Sequence, residues 1–196
     1  DKAFDPNQHY PIKITKEEKK DLGSEVSFIG TFAPERAQLL NYLAANKIKV
    51  KIWGNGWEKF VPKSQYLNIK YKPLVNQPHN FLFTKGISAS QINLGFLRKV
   101  NRDLQTDRSI EIPACGGFLL AERSQEHERL FEDGKEAVFY DNKEDLVKKI
   151  KYFLHNKEHR SQIAEAGYKK SRTADYTHEN RMSFMLKTAL NIGKPS

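Results

Sequence analysis

The sequence predicts an α/β fold, a doubly wound parallel sheet with helices on both faces. Three observations carry this. Short apolar runs stopped by glycine or polar residues recur, as at Val26–Gly30, Val50–Trp53 and Phe118–Ala121. Such runs suit strands buried on both faces of a parallel sheet. Between them lie stretches with helical apolar spacing, as at Ala37, Leu39, Leu40, Leu43 and Ala44. The first strand, helix and second strand fit within about 30 residues, the span of a βαβ unit, whose crossover makes the strands parallel.

The elements follow in order. Residues 1–22 hold Asp5-Pro-Asn-Gln-His-Tyr-Pro11 and the mixed run Lys16-Glu-Glu-Lys-Lys20, and predict a linker or lead-in segment with little core-forming power. Residues 23–196 then form the folded domain. Val26–Ile29 is its first strand, and Pro34 stands at the first helical position of a helix that runs through Asn46. Val50–Trp53 is the second strand, closed by Gly54-Asn55-Gly56. From Trp57 to Gly86 the pattern predicts loop, with one short strand near Leu67–Ile69. Ser90–Phe96 reads as a strand, and Asp107–Cys115 as a helix interrupted by Pro113 and ended by Gly116-Gly117. Strands at Phe118–Ala121 and Glu136–Tyr140 follow. Asp141 to Glu144 has capping-box spacing ahead of a helix carrying Leu146, Ile150, Phe153 and Leu154. Helices over about 157–171 and 178–190 close the chain.

Composition narrows the function classes. The chain has 196 residues, enough for one domain at about 150 residues each. Its 12 Phe, 8 Tyr and 2 Trp argue against disorder. A single cysteine excludes an internal disulfide framework and a Cys-rich zinc module. No apolar run approaches the roughly 20 residues that span a bilayer, and the start lacks the apolar stretch of a signal peptide. A soluble, cytoplasmic setting is expected. The chain begins at Asp1 rather than at methionine and reads as a piece of a longer one. The net charge of +9 attracts phosphate in any form. The basic residues fall in small groups with acids nearby, the pattern of solvated helix faces rather than of a nucleic-acid stripe. Lys70-Tyr71-Lys72 is the one aromatic-basic interleaving.

In an open parallel sheet, ligands bind beyond the carboxyl ends of the strands, where strand order reverses. That rule selects Gly30-Thr31-Phe32, Gly54-Asn55-Gly56-Trp57, the 97–109 stretch and Glu122-Arg123-Ser124. The stretch 97–111 is the richest. The free N–H groups where its helix starts, near Thr106 to Ser109, form an anion site. Arg108 adds a planar fork suited to phosphate, and Glu111, one turn in, suits a ribose diol. Together they point to a nucleotide. Their spacing is equally that of an i,i+3 surface ion pair. Asp103, eight positions before Glu111, can address a second sugar or be an ordinary surface acid. Gly54-Asn55-Gly56 lacks the third glycine of the dinucleotide fingerprint and reads as a tight turn. Cys115 reads as a packed core residue, and the six histidines show no convincing metal spacing; His155 and His159 are taken as surface residues.

The segment Lys99-Val-Asn-Arg-Asp-Leu-Gln-Thr-Asp-Arg-Ser-Ile-Glu-Ile-Pro-Ala-Cys-Gly-Gly-Phe-Leu-Leu-Ala-Glu-Arg123 resembles the signature of the CgeB/YkvP-type spore-protein glycosyltransferases. His127, Leu130-Phe131, Gly134-Lys-Glu-Ala137, Leu146, Arg160, Ile163-Ala164, Ala166-Gly167, Tyr176-Thr177 and Arg181 continue the likeness. Upstream, Phe28-Ile-Gly-Thr31, Glu35-Arg36 and Trp53-Gly-Asn-Gly-Trp57 fit as well, so the likeness spans about 25–190. It implies the Rossmann-like C-terminal half of a two-domain GT-B glycosyltransferase of hexosyltransferase type. This half binds the nucleotide-sugar donor, and the N-terminal acceptor half lies outside the chain. In related retaining enzymes a Glu-x7-Glu motif reads the donor. Here the matching positions are Asp103, for the transferred sugar, and Glu111, for the ribose. Asp for the first Glu is a departure from that pattern. The resemblance further implies phosphate contacts from Arg108, from Arg102, Thr106 and Ser109 around the helix start, and from Gly30, Thr31 and Gly54 on the first two loops. It implies neither a metal nor another cofactor. The last helix is expected to pack against the missing half. A non-catalytic interaction module on the same fold, and a basic nucleic-acid-binding domain, are the alternatives.

Overall fold

A computed structural model describes residues 2–60 and 64–192. Residue 1, residues 61–63 within the loop expected after Trp57, and residues 193–196 lie outside the described residues. The sheet has six strands in the order β3-β2-β1-β6-β7-β8, all parallel. They are β1 (Val26–Ile29), β2 (Val50–Trp53), β3 (Leu67–Lys70), β6 (Ile92–Gly95), β7 (Leu119–Glu122) and β8 (Val138–Tyr140). A separate hairpin pairs β4 (Asn76–Gln77) with β5 (Asn80–Phe81).

The helices divide between the two faces. On one face, α2 (Pro34–Ala45) and α6 (Lys143–His155) enclose a core built on Phe28, Leu40, Ile52, Leu94, Leu120 and Phe153. On the other, α1 (Lys16–Leu22), α3 (Leu82–Ala89), α4 (Asp107–Ala114) and α5 (Gln125–Leu130) cover Ile29, Trp53, Phe83, Ile110, Leu119 and Phe139. The sheet is therefore doubly wound, as the sequence predicts. After β1 the chain crosses to one side through α2. After β6 it crosses to the other through α4. The order reverses between β1 and β6, and a crevice opens beyond their carboxyl ends. Helices α7 (Lys157–Thr173) and α8 (His178–Ile192) complete the chain.

Three polar residues in the sheet, Ser27, Asn93 and Lys51, have internal partners. The Ser27 hydroxyl donates to Asn93 Oδ1 at 2.7 Å, joining register partners on β1 and β6. The Lys51 ammonium on β2 donates to the Asp21 and Gly23 carbonyls at 3.0 and 2.7 Å, where α1 ends. A cation facing the last carbonyls of a helix also meets the negative end of its dipole.

Several expectations are corrected. The loop expected through Gly86 contains the β4–β5 hairpin and the first half of α3. Helix α3 has no side-chain cap. Packing of Phe83 and Ile87 stabilises it rather than local signals. The short helices α1 and α5 were also not expected. Thr15 and Glu18 form a capping box for α1, and Ser124 caps α5. The cap of α6 is Asn142, which accepts from the Asp145 N–H, one residue later than the predicted box. The lead-in contributes core where composition predicted little. Phe4 is fully buried, and its N–H donates to the Tyr176 carbonyl at 3.0 Å. The apolar face of α8 is open, with Met182, Phe184, Met185, Leu186 and Leu190 all exposed.

Candidate functional site

The crevice is built from three loops and the start of α4. The first loop leaves β1 at Gly30. Its N–H donates to the Trp53 carbonyl and its own carbonyl accepts from the Trp57 indole, both at 2.9 Å. Gly54 packs directly beneath: a Cβ there would lie 2.0 Å from the Gly30 oxygen, too close for any side chain. Gly54 thus lets the second loop support the first from behind, and Thr31 remains exposed at the surface. Arg36, buried in the first turn of α2, donates to the Thr31 carbonyl at 3.0 Å and to the Phe96 carbonyl at 3.2 Å. It ties the loop after β1 to the loop after β6, across the point where strand order reverses.

The loop after β6 makes a 3-10 turn at Lys99–Asn101 and then places Arg102 in the left-handed region, with φ of 53° and the side chain exposed. Asp103 is half-buried, and its N–H donates to the Arg98 carbonyl at 3.3 Å. Thr106 caps α4. Its N–H donates to Ser109 Oγ at 2.9 Å. Ser109 Oγ lies 2.7 Å from His127 Nε2, and His127 Nδ1 lies 2.6 Å from the Glu122 carbonyl. A carbonyl only accepts, so Nδ1 carries the proton and Nε2 accepts from the serine hydroxyl. Burial pulls His127 below the ordinary histidine pKa, against the opposing pull of the Glu122 carbonyl, and the ring stacks on Phe139 at 5.5 Å. Ser109 is thereby engaged inside the fold, fully buried, and shapes the helix start rather than facing the crevice.

Arg108 and Glu111 do face it. Arg108 Nε donates to the Ile29 carbonyl at 3.2 Å, at the very end of β1. Its guanidinium lies 4.3 Å from the centre of the Phe83 ring, close enough for cation–π attraction, and its Nη1 pairs with Glu111 Oε2. The two side chains form the i,i+3 pair that the spacing allows, aimed at the switch point rather than over open surface. The other carboxylate oxygen, Glu111 Oε1, stands 3.5 Å from His9 Nε2. His9, Phe83, Arg108, Glu111, Leu74 and Asn76 border a cavity of about 240 Å³. Gln8 lines it beside His9, and the lead-in also meets the start of α4 where Lys2 pairs with Asp107 at 3.3 Å.

Of the predicted residues, the structure brings Arg108 and Glu111 into contact, with Gly30 and Thr31 next along the chain from the Ile29 carbonyl that Arg108 holds. Thr106 stands at the helix start. Gly54 acts from behind through backbone packing. Arg102 and Asp103 lie on the adjoining loop, with no contact to the Arg108–Glu111 pair. Sequence reasoning missed His9, Phe83 and Arg36 as site residues. Arg36 carries a legible signal, a lone cation in the first turn after the β1 loop. His9 and Phe83 reach the site only through tertiary packing.

A larger cavity, of about 530 Å³, opens on the opposite face beside Tyr42, Phe96, Glu122 and Tyr140. The larger cavity also gathers cations and acids, among them Arg36, Lys143, Glu122 and Glu144; the smaller one is chosen because it holds the predicted Arg108–Glu111 pair. Among the described residues no group of three or more His, Cys, Asp and Glu could hold a metal ion. The Cys115 thiol is buried and pushed up to about 12, chiefly by desolvation, which leaves it unreactive. No described helix is long and apolar enough to cross a membrane.

Comparison with solved structures gives the fold. The chain is similar to sucrose-phosphate synthase from Thermosynechococcus elongatus, with a TM-score of 0.70 at 11% identity, over 98% of this chain and 52% of that one. It is similar to HepE from Anabaena in a complex with UDP-glucose, with a TM-score of 0.72 at 10% identity, over 96% and 56%. It also matches the C-terminal domain of the group 1 glycosyl transferase LpcC from Francisella tularensis, with a TM-score of 0.64 at 11% identity, over 90% of this chain and 100% of that one. The chain thus spans about half the length of the first two. No curated protein matches it in sequence. The fold is that of the Rossmann-like C-terminal domain of GT-B glycosyltransferases. A family model described as glycosyl transferase-like matches residues 36–187, a stretch that takes in most of α2, the whole of α4 and the crevice residues Arg108 and Glu111. The chain belongs to that glycosyl transferase-like family.

Proposed function

We propose that the crevice binds a nucleotide diphosphate sugar, and that the chain is the donor-binding domain of a hexosyltransferase-type enzyme. The observation that carries this is the convergence of Arg108 and Glu111 at the start of α4, beside the end of β1. The Asp107 and Arg108 N–H groups at the start of α4 precede the first helical bond, which Thr106 closes at Ser109, and with the Arg108 fork they suit a diphosphate. Gly30 and Thr31 offer backbone from the facing loop, and Arg102 adds exposed positive charge. Glu111 accepts from the ribose diol and Asp103 from the transferred sugar. Phe83 and Leu74 supply the apolar wall for a base. As an acceptor oxygen bonds the anomeric carbon and gives up its proton to the departing phosphate or to a base of the acceptor half, the bond between sugar and phosphate breaks and its electron pair goes to the diphosphate. Arg108 and the helix start offset that charge, so no metal ion or other cofactor is required.

Residues 1–22 are read as the lead-in from an acceptor-binding half, and the exposed face of α8 as the surface that packs against it. The chain alone then binds donor and turns over little. The resemblance of the block from Lys99 to Arg123 supports reading the chain as of the CgeB spore-protein type, in a cytoplasmic setting that suits a nucleotide-sugar donor.

One observation favours a second reading. Glu111 already has Arg108 and His9 beside it, so the cluster is also what a non-catalytic interaction module on this fold would retain. Nucleic-acid binding has less support: Arg108, Arg123 and Lys149 are all paired with acids. A thermal-shift screen of UDP, GDP, ADP and their sugars separates the readings. The donor site predicts stabilisation by at least one ligand and its loss in Glu111→Ala. No response to any nucleotide contradicts the donor reading.

A further inference from the structure

The lead-in brings an imidazole to the Glu111 carboxylate, and its backbone is fixed at Phe4 and at Gln8, just ahead of that contact. Phe4 is fully buried, its N–H donates to the Tyr176 carbonyl at 3.0 Å, and its carbonyl accepts from the His178 N–H at 3.1 Å. Further along, the Gln8 carbonyl accepts from Thr84 Oγ1 at 2.6 Å and from Asn76 Nδ2 at 3.0 Å. Directly after these anchors the His9 ring is held edge-on by Phe4 and Phe83, with centroids 6.4 and 5.7 Å away.

The hydrogen bonds set the tautomer. The Asp5 carbonyl already accepts from the Gln8 and His9 N–H groups at 3.1 and 2.9 Å. His9 Nδ1 lies 3.1 Å from that carbonyl and 3.3 Å from the Asp5 N–H, which points at it; with the carbonyl's two lone pairs taken by the Gln8 and His9 N–H groups, Nδ1 accepts from the Asp5 N–H. Nδ1 then serves as acceptor, and the ring proton sits on Nε2, the atom 3.5 Å from Glu111 Oε1. Arg108 holds the other oxygen. The carboxylate is thus flanked by two donors, one from α4 and one from the lead-in, with lone pairs left on both oxygens. A distance of 3.5 Å is long for a hydrogen bond, as contacts in unliganded sites often are before ligand closes them.

We propose that His9 is a positioning residue that fixes the Glu111 carboxylate to receive the two vicinal hydroxyls of a ribose. The inference rests on the donor-site reading, and it makes the lead-in part of the site rather than a tether. Placing a carboxylate from two sides removes rotamer freedom that a bidentate contact would otherwise have to overcome. His9 does not touch the ligand; it acts through Glu111.

The test measures affinities of the 196-residue chain for UDP and for 2′,3′-dideoxyuridine diphosphate by calorimetry, using His9→Phe, His9→Gln and Glu111→Ala. His9→Phe keeps the ring between Phe4 and Phe83 and removes Nε2, so folding is preserved. It should weaken UDP by about five- to tenfold, the range for one positioned hydrogen bond. The dideoxy nucleotide, which lacks the diol, should bind within about twofold of wild type, and His9→Gln should restore most of the UDP affinity. If Glu111→Ala selectively weakens UDP while His9→Phe weakens both nucleotides alike or neither, the role of His9 is overturned and the ribose site stands. If Glu111→Ala does not distinguish the two nucleotides, the ribose reading fails and the His9 proposal falls with it.

Discussion

Two buried imidazoles flank α4, and they do opposite work. His127 closes a complete chain of hydrogen bonds, from the Thr106 N–H through Ser109 to the Glu122 carbonyl. His9 faces Glu111 at 3.5 Å on the rim of a cavity, with its contact loose. Each is drawn below the ordinary histidine range by burial, yet at His9 the charges of Glu111 and Arg108 pull in opposite directions. The difference separates a side chain whose hydrogen bonds are closed within the fold from one whose loose contact falls on an acid at a cavity.

The largest expected effect breaks the closed end. His127→Ala strips partners from Ser109 and the Glu122 carbonyl and leaves a gap against Phe139. It should destabilise the fold by about 2 to 3 kcal/mol, lowering Tm by about 5 to 10 °C for a domain of this size. Thermal melts check this, and nucleotide affinity should change little. The open end should respond the other way. Arg108→Ala removes a charge-assisted contact and should weaken nucleotide diphosphates by about 10- to 100-fold, while Tm falls by only a few degrees. Isothermal titration and melts on the same sample read both. If Arg108→Ala proved more damaging to stability than His127→Ala, the division between the two ends of α4 would be wrong.

The smallest effect is in pH. Both histidines have folded pKa values below the unfolded value near 6.5. The unfolded chain therefore takes up protons first as pH falls. Their stabilisation is complete above about pH 6.5 and is lost as pH drops toward the folded values. Melts between pH 7.5 and 5 should show declining Tm, and His127→Gln should flatten the decline more than His9→Gln.

The doubly wound sheet was legible because its strands are apolar on both faces and its crossovers carry helical spacing. The Arg108–Glu111 pair was legible because a three-residue interval fixes one helical face. Other features left no local trace. Helix α3 carries Thr84, Gly86 and Ile87, poor helix formers whose placement comes from packing against Leu74 and α1. Phe4 and His9 lie in a polar, proline-bounded stretch, and only the fold brings them to Tyr176 and to Glu111. Ser109 read as a phosphate ligand because its position near a helix start was visible and its partner, His127, lies 18 positions away.

The most direct measurement is a crystal structure of the chain with UDP-glucose. The account predicts the diphosphate against the first N–H groups of α4 and Arg108, with the ribose hydroxyls on Glu111. A nucleotide seated instead in the larger cavity beside Tyr140, or a crevice that stays empty at saturating ligand, would contradict it.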